Sequence, residues 1–229
     1  RDCGLLASLD LNAHGTEVAG IAAARDNSAG IVGVAPGARV HAVKVLDNGG
    51  TTELSSIIAV VDHLTELKRR NPSRPMVVNM SLGAETGSTA YNALDRAIQR
   101  SIASGVTYVL AAGNDARDAS TVTPAHVAEA ITVGAYGSDN RLARFSNHGS
   151  VIDLLAPGVD VQTLGAGDAV STVSGTSIAA PHVAGAAALL LARRPNLSPE
   201  EVRSHLVANS RAIVSGVPRG TTGRSVWVD

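Results

Sequence analysis

The chain is poor in features that other fold classes depend on. It has one cysteine, Cys3, in 229 residues, so no internal disulfide can staple it. Phe, Trp and Tyr together make up 2% of the residues, whereas glycine alone accounts for 23. Its core must therefore be built from small and β-branched side chains, with helices and sheet in close approach. No apolar run is long enough to span a bilayer; the longest, Ala184 to Ala192, contains one glycine and has the length of a buried helix. The formal net charge is −1, which removes the electrostatic case for nucleic acid or an anionic membrane as a partner. What is present is ordinary for a globular protein, 45% hydrophobic and 17% charged residues, in a length that suits one domain.

Apolar runs alternate with helical stretches, the pattern of an α/β protein with a mainly parallel sheet flanked by helices. Strands are expected at Val40–Leu46, Met76–Met80, Val106–Ala112, Ala130–Val133 and Val151–Leu155. Val161–Leu164 and Val170–Val173, separated by five residues with two glycines, predict a hairpin. Thr52 is placed to cap a helix whose apolar residues Leu54, Ile57, Ile58, Val61, Leu64 and Leu67 recur at helical spacing as far as Arg70. A second helix is expected over Tyr91–Ser104, ended by Gly105, and a nearly all-apolar one from about Ser177 to Arg194. Ser198-Pro199-Glu200-Glu201 has the cap, the first-position proline and the returning Glu of a capping box. There is no repeat, low-complexity tract or linker, so residues 1–229 read as one domain.

Three segments carry chemistry: His14-Gly15-Thr16-Glu17-Val18-Ala19-Gly20, Ala111-Ala112-Gly113-Asn114 and Ser174 to Gly185 around Ser177. Each alone has a bland reading. His14 could be a polar cap on a helix from Thr16 to Ala24, Asn114 a left-handed turn residue, and Ser177 an N-cap. Together they supply the parts of acyl transfer. A serine hydroxyl is a weak nucleophile until a base takes its proton, and imidazole titrates in the useful range. Ser177 at the head of a long helix sits where free N–H groups and the macrodipole favour negative charge. A carboxamide such as that of Asn114, at the end of a central strand, suits a tetrahedral oxyanion.

HGT-x-VAG, AAGN and SGTS-x-AAPHVAG, in that order, resemble the signatures of the subtilase (subtilisin-like serine protease) family, and the resemblance covers nearly the whole chain. It implies a three-layer α/β sandwich and an endopeptidase acting on protein or peptide substrates, outside the cell or in an envelope compartment. By that similarity His14 is general base and acid, Ser177 the nucleophile, and Asn114 with the Ser177 N–H the oxyanion hole. Gly50-Thr51-Thr52 and Ser81-Leu82-Gly83 would hold an extended substrate by strand addition. Ala111, Ala112 and Gly113 would floor the primary pocket, with room for a sizeable apolar or neutral side chain. His182, five residues after Ser177 on the same helix, reads as structural; His41, His63, His126, His148 and His205 carry no motif. Two departures, Glu17 where the family often has His and Ile178 where Met is common, fall outside the triad.

The family order is Asp, His, Ser, with the Asp at the end of a first central strand well before the His. Only thirteen residues precede His14, and Asp2-Cys3-Gly4-Leu5 resembles the Asp motif only superficially. The resemblance therefore predicts an N-terminally truncated domain lacking its first strand, with the Asp upstream of Arg1 and Asp2 as runner-up. Asp10 reads as a loop residue leading into the His14 helix. Completion by an upstream segment or propeptide is expected; the competing reading is an inactive fragment that binds extended peptides. An esterase of the α/β-hydrolase type is set aside, since Gly175-Thr-Ser177-Ile-Ala lacks the second glycine of its elbow and His14 precedes the nucleophile. No cofactor is implied for catalysis. Ala24 to Ile31 resembles a structural calcium loop of the family, with Asn27 and the carbonyls of Arg25, Ala29 and Ile31 as ligands; it reads equally as an Asn-Ser-Gly turn.

Overall fold

The protein is described from a computed structural model, which covers residues 10–228. In chain order the elements are α1 (His14–Ala23), α2 (Leu54–Arg70), β1 (Val77–Met80), β2 (Ala84–Glu85), α3 (Ala93–Ala103), β3 (Thr107–Ala111), β4 (Val122–Thr123) and β5 (Ile131–Tyr136). They continue with β6 (Leu154–Pro157), β7 (Val161–Leu164), β8 (Val170–Val173), α4 (Thr176–Arg193), α5 (Pro199–Ala208), β9 (Arg211–Ala212) and β10 (Arg224–Ser225). The central sheet has the order β1-β3-β5-β6-β10-β9. Every pairing in it is parallel except β10 with β9. β2 with β4 and β7 with β8 form separate antiparallel ribbons.

Period-two alternation along the strands builds the layers. Val109 and Ala111 of β3, with Val133 of β5 and Leu154 of β6, face α4 and α5 in one buried cluster. Tyr108 and Leu110 point the other way, into a cluster with Leu94, Ile98 and Ile102 of α3 and with Ile57 and Val61 of α2. The result is a three-layer α/β sandwich. Each fully buried Leu, Ile or Val in it contributes about 1.5–3 kcal/mol relative to exposure. Scarcity of large side chains becomes close packing: a Cβ on Gly185 of α4 would lie 2.6 Å from Val34 Cβ and 3.1 Å from the Ala22 carbonyl oxygen of α1. That is tighter than van der Waals contact allows. Glycine there lets the helix bearing Ser177 lie directly on the helix bearing His14.

Most expected elements are present, with shifted ends. The strand expected at Val151–Leu155 runs over Leu154–Pro157, and the Ser198–Glu201 capping box forms with both of its hydrogen bonds. α2 is preceded by Glu53 rather than capped by Thr52, whose hydroxyl donates to the Glu53 carbonyl instead. Val40–Leu46 differs altogether. It forms no strand, and Val40 and Val43 are exposed at 52% and 36%. A strand exists only with a ladder partner. Among the described residues β1 is the edge of the sheet and nothing pairs with its outer side.

One buried polar network ties the layers together near the carboxyl ends of the strands. Asp95 Oδ2 accepts from the Asn92 N–H (2.8 Å) and His126 Nε2 (2.9 Å), and Oδ1 from the Thr123 hydroxyl (2.6 Å). His126 Nδ1 donates to the Ser120 carbonyl at 3.0 Å. Asn92 completes a second capping box with Asp95 at the head of α3. Asp95→Ala would leave three buried donors unpaired. The expected loss is about 3–5 kcal/mol, read as a lower urea midpoint; a midpoint within experimental error of the parent would show that the network does not hold the layers together.

Candidate active site

In open α/β sheets the functional crevice lies beyond the carboxyl ends of the parallel strands. Here β1 ends into Ser81-Leu82-Gly83, β3 ends into Ala112-Gly113-Asn114, and α4 begins at Thr176. These three ends are cross-linked by side chains. Asn114 Oδ1 accepts from the Thr176 N–H (2.8 Å) and from the Thr176 hydroxyl (2.9 Å). The same hydroxyl accepts from the Gly113 N–H at 3.1 Å. Its single hydrogen and a lone pair are thereby both used, and the amide oxygen of Asn114 is held while its Nδ2 makes no hydrogen bond among the described residues.

Ser177, half-buried, follows Thr176 in the first turn of α4, where backbone N–H groups lack helical acceptors. Its hydroxyl faces the Ser81 carbonyl at 3.4 Å, a long contact. Its own carbonyl accepts from the Ser81 hydroxyl at 2.8 Å, which in turn accepts from Asn79 Nδ2 at 2.9 Å. The buried Oδ1 of Asn79, on the edge strand β1, has no hydrogen-bond partner among the described residues. The head of α4 is thus stitched to the ends of both β1 and β3.

His14 is the first residue of α1 and is half-buried. Among the described residues its imidazole makes no hydrogen bond, so α1 and its cap set its position. The cap is Asp10: Oδ1 accepts from the N–H groups of Asn12 (3.1 Å) and Ala13 (2.9 Å), and Oδ2 from the N–H (2.8 Å) and hydroxyl (2.7 Å) of Thr16. With all four bonds directed at the helix start, this carboxylate serves α1 and not the imidazole. Burial alone would raise its pKa, but the Thr16, Ala13 and Asn12 donors together hold it below the ordinary 3.8. Asp2, the runner-up triad carboxylate, lies outside the described residues.

Other predicted positions fall as follows. Asn12 Nδ2 donates to the Asn48 carbonyl at 3.1 Å, tying the His14 loop to the turn that precedes Gly50-Thr51-Thr52. That turn is closed by Asp47, which accepts from the Thr51 N–H and hydroxyl, each at 2.9 Å. Gly50, Thr51 and Thr52 are exposed, Ser81 and Leu82 half-buried and Gly83 exposed. Ala111 and Ala112 are buried. His182 is turned into the protein; its Nδ1 donates to the Ile178 carbonyl at 3.0 Å, and burial pulls its pKa below the ordinary value. Both facts fit a structural histidine.

Arg25, Asn27 and Ala29 lie on an exposed loop after α1 and Ile31 is half-buried. Asn27 Oδ1 accepts from the Ala29 N–H at 3.4 Å, the geometry of an Asx turn. Among the described residues no hydrogen bond uses the carbonyls of Arg25, Ala29 or Ile31. The loop therefore offers four oxygens, short of the six to eight that calcium takes. No group of three or more His, Cys, Asp or Glu among the described residues could hold a metal.

Asn147 is a site residue that carried no sequence motif. Fully buried, it accepts from the Asp115 (3.0 Å) and Arg117 (3.1 Å) N–H groups and donates to the Ala112 carbonyl (2.9 Å). Its backbone N–H also bonds the Gly113 carbonyl at 2.9 Å. Gly113 has φ +100 and lies against this side chain, so a Cβ there is excluded by both strain and space. Only its place after Phe145-Ser146 hinted at the role, and that is no signal without the fold.

The architecture is that of the subtilisin-like α/β proteins. A solved structure described as a cold adapted subtilisin-like serine proteinase matches with a TM-score of 0.86 and 39% identity, over 97% of this chain and 77% of that one. The subtilase family model matches residues 7–224, and the chain belongs to that family. It is 43% identical over 200 residues to subtilisin E of Bacillus subtilis (strain 168), covering 86% of this chain and 50% of that protein. It is 46% identical to an extracellular serine proteinase of Thermus sp. (strain Rt41A), covering 86% of this chain and 46% of that protein. The chain thus spans about half the length of each of these two relatives.

Asp10 gives a pH test of the site's framework. A carboxylate with a depressed folded pKa stabilises above its unfolded value near 3.8 and loses that contribution as pH falls through the folded value. Asp10→Ala should cost about 1 kcal/mol at neutral pH, as lost caps do. The gap between the two unfolding curves should close below pH 3.8; a gap independent of pH would mean that the carboxylate charge plays no part.

Proposed function

We propose that this chain is the catalytic portion of a secreted serine endopeptidase that hydrolyses peptide bonds through an acyl-enzyme. The observation that carries the reading is the fixed Asn114 carboxamide: its oxygen is held by Thr176, beside Ser177, and among the described residues its amide donor has no partner, so that an oxyanion could take it. His14 would take the Ser177 proton as the hydroxyl oxygen attacks the peptide carbonyl carbon. The resulting oxyanion would accept from Asn114 Nδ2 and the Ser177 N–H. His14 would then hand the proton to the leaving amine, and a water deprotonated by His14 would release the acid. Substrate main chain would pair with Ser81–Gly83 and with Gly50–Thr52. The Thermus relative is an extracellular serine proteinase, which supports secretion; no helix among the described residues is long and apolar enough to cross a membrane.

The orienting carboxylate for His14 is proposed to come from a segment docked on the edge of β1 that is unpaired among the described residues, an upstream segment or propeptide first and Asp2 as runner-up. Three observations support this. Among the described residues β1 is paired on one side only, the strand-like Val40–Leu46 has no ladder, and Asn79 Oδ1 is buried without a donor. Without that carboxylate a serine triad loses roughly 10⁴ in kcat. The second reading, a fragment that binds extended peptides without cleaving them, is favoured by the imidazole's lack of a partner among the described residues.

Labelling with a fluorophosphonate probe separates the two. The peptidase reading expects an adduct on Ser177, abolished in Ser177→Ala and slowed in His14→Ala. It also expects a rise of about 10⁴ in turnover when the carboxylate-bearing segment is supplied. Asn114→Ala should lower kcat by about 10²–10³, the size of the corresponding loss in subtilisin, taken over from that relative. Absence of any adduct in the completed protein would leave the binding reading.

A structural calcium ion is proposed at the Ala24–Ile31 loop, held by Asn27 Oδ1 and the carbonyls of Arg25, Ala29 and Ile31, with further oxygens from water or from the docked segment. Removing calcium with a chelator should lower the thermal midpoint by several degrees, and re-addition should restore it. A midpoint indifferent to both treatments would eliminate the ion.

A further inference from the structure

Asp10 shapes the start of α1 from the chain just before it, so its bonds cap the helix without locating it against the rest of the molecule. A distant segment supplies that reference. The hydroxyl of Thr163, in β7, donates at 2.6 Å to the carbonyl of Glu17, which closes the first turn after His14. Thr163 is 0% exposed and lies 146 residues after Glu17 in the chain. A helical carbonyl keeps a lone pair beyond its own ladder bond, so the hydroxyl adds a bond without breaking one. Gly20, three residues on and on the same face of α1, forms the notch for this contact. A Cβ there would lie 2.7 Å from Thr163 Oγ1 and 3.1 Å from both N and Cβ of Leu164. The ribbon thus fits closely against one face of α1 and fixes both its axial position and its rotation.

The same ribbon leads into the residue read as the nucleophile. β8 ends at Val173, and Ser174, Gly175 and Thr176 join it to Ser177 at the head of α4. Both strands are tied at this end. The Ser174 hydroxyl oxygen accepts from the Asp160 N–H at 2.8 Å, and the Gly175 N–H donates to the Gly158 carbonyl at 2.8 Å. Thr163 pairs across the ribbon with Ser171, and Val161 with Val173. The path from Thr163 to Ser177 therefore runs through paired strand and a clamped turn. Any slide of α1 along the ribbon would move His14 relative to Ser177.

We propose that Thr163 is a positioning residue for His14: its hydroxyl sets α1 in register on the ribbon that carries Ser177, so that base and nucleophile share one frame. This rests on the roles proposed above for those two residues. Thr163 acts through the place of the imidazole, not on substrate. Proton transfer needs its two heavy atoms within hydrogen-bond reach, and a misplacement of about 1 Å caused far from the chemistry can cost about 10²-fold. Valine has the shape of threonine, but its methyl would stand where the hydroxyl now bonds at 2.6 Å. Carbon and oxygen do not approach that closely, so α1 would have to shift.

Two readouts on the full chain test the assignment. The rate of fluorophosphonate labelling at Ser177 would be measured in the parent, Thr163→Val, Thr163→Ser, His14→Ala and the double variant Thr163→Val/His14→Ala. Thr163→Val should slow labelling by about 10–100-fold, and Thr163→Ser should bring it back near the parent rate. In the His14→Ala background Thr163→Val should have no further effect. A merely structural threonine would slow labelling alike with and without His14; that outcome, or a parental rate in Thr163→Val, would overturn the assignment. Amide hydrogen exchange, followed by mass spectrometry of peptic fragments, reads the clasp apart from the chemistry. Thr163→Val should quicken exchange in α1 and leave α4 at the parent rate. Unchanged exchange in α1, or equal loosening of both helices, would also count against it. Quickened α1 exchange with no adduct in any of the proteins would defeat the peptidase reading and reduce Thr163 to a tie between helix and ribbon. An adduct whose rate is indifferent to Thr163 would defeat the positioning role alone.

Discussion

The hydroxyl of Thr176 joins the two halves of the site. It donates to Asn114 Oδ1 and accepts from the Gly113 N–H, while its backbone N–H also reaches Asn114. Strand end and helix start become one rigid unit, buried at Thr176 and open at Asn114 and Ser177. An oxyanion donor is effective only if it is in position before charge develops. For the role proposed for Asn114, the position of the amide is set by bonds to the carboxamide oxygen, which a ligand at the amide need not disturb. Asn147 reinforces the same strand end from behind through Ala112, Asp115 and Arg117.

The composition follows from that geometry. The helices that carry His14 and Ser177 approach closely, which Gly185 permits against Val34 and Ala22. α1 is likewise gripped by the β7–β8 ribbon, where the Thr163 hydroxyl donates to the Glu17 carbonyl at 2.6 Å and Gly20 leaves room for it. Large aromatic side chains at these contacts would push the helices apart. Their scarcity is a requirement of the close packing that positions the site.

Histidine and serine are held in different ways. Ser177 is stitched through Ser81 and Asn79 to the sheet as well as carried by α4. His14 depends on the start of α1 and on Asp10, whose carboxylate is spent on the helix N-terminus. Ser177 is tied down by these bonds within residues 10–228. His14 has its backbone position there, and among the described residues the buried Oδ1 of Asn79, on the edge strand β1, has no hydrogen-bond partner.

The linear pattern carried a good deal of this. Alternation in Val106–Ala112, helical spacing in Leu54–Leu67 and the Ser198–Glu201 box are local properties, and β3, α2 and α5 formed close to where they were expected. The motifs around His14, Asn114 and Ser177 pointed to the family for the same reason, each being a short contiguous run. Pairing was not legible. Val40–Leu46 has the residues of a strand, but a strand is a relation between two segments, and none of the described ones lies beside it. Nor could the sequence alone assign Asp10 to a helix cap or bring Asn147 behind Gly113. Those contacts join residues far apart in the chain or depend on the direction of a turn, so sequence by itself determined the chemical groups and the local elements, and the tertiary structure decided which groups meet.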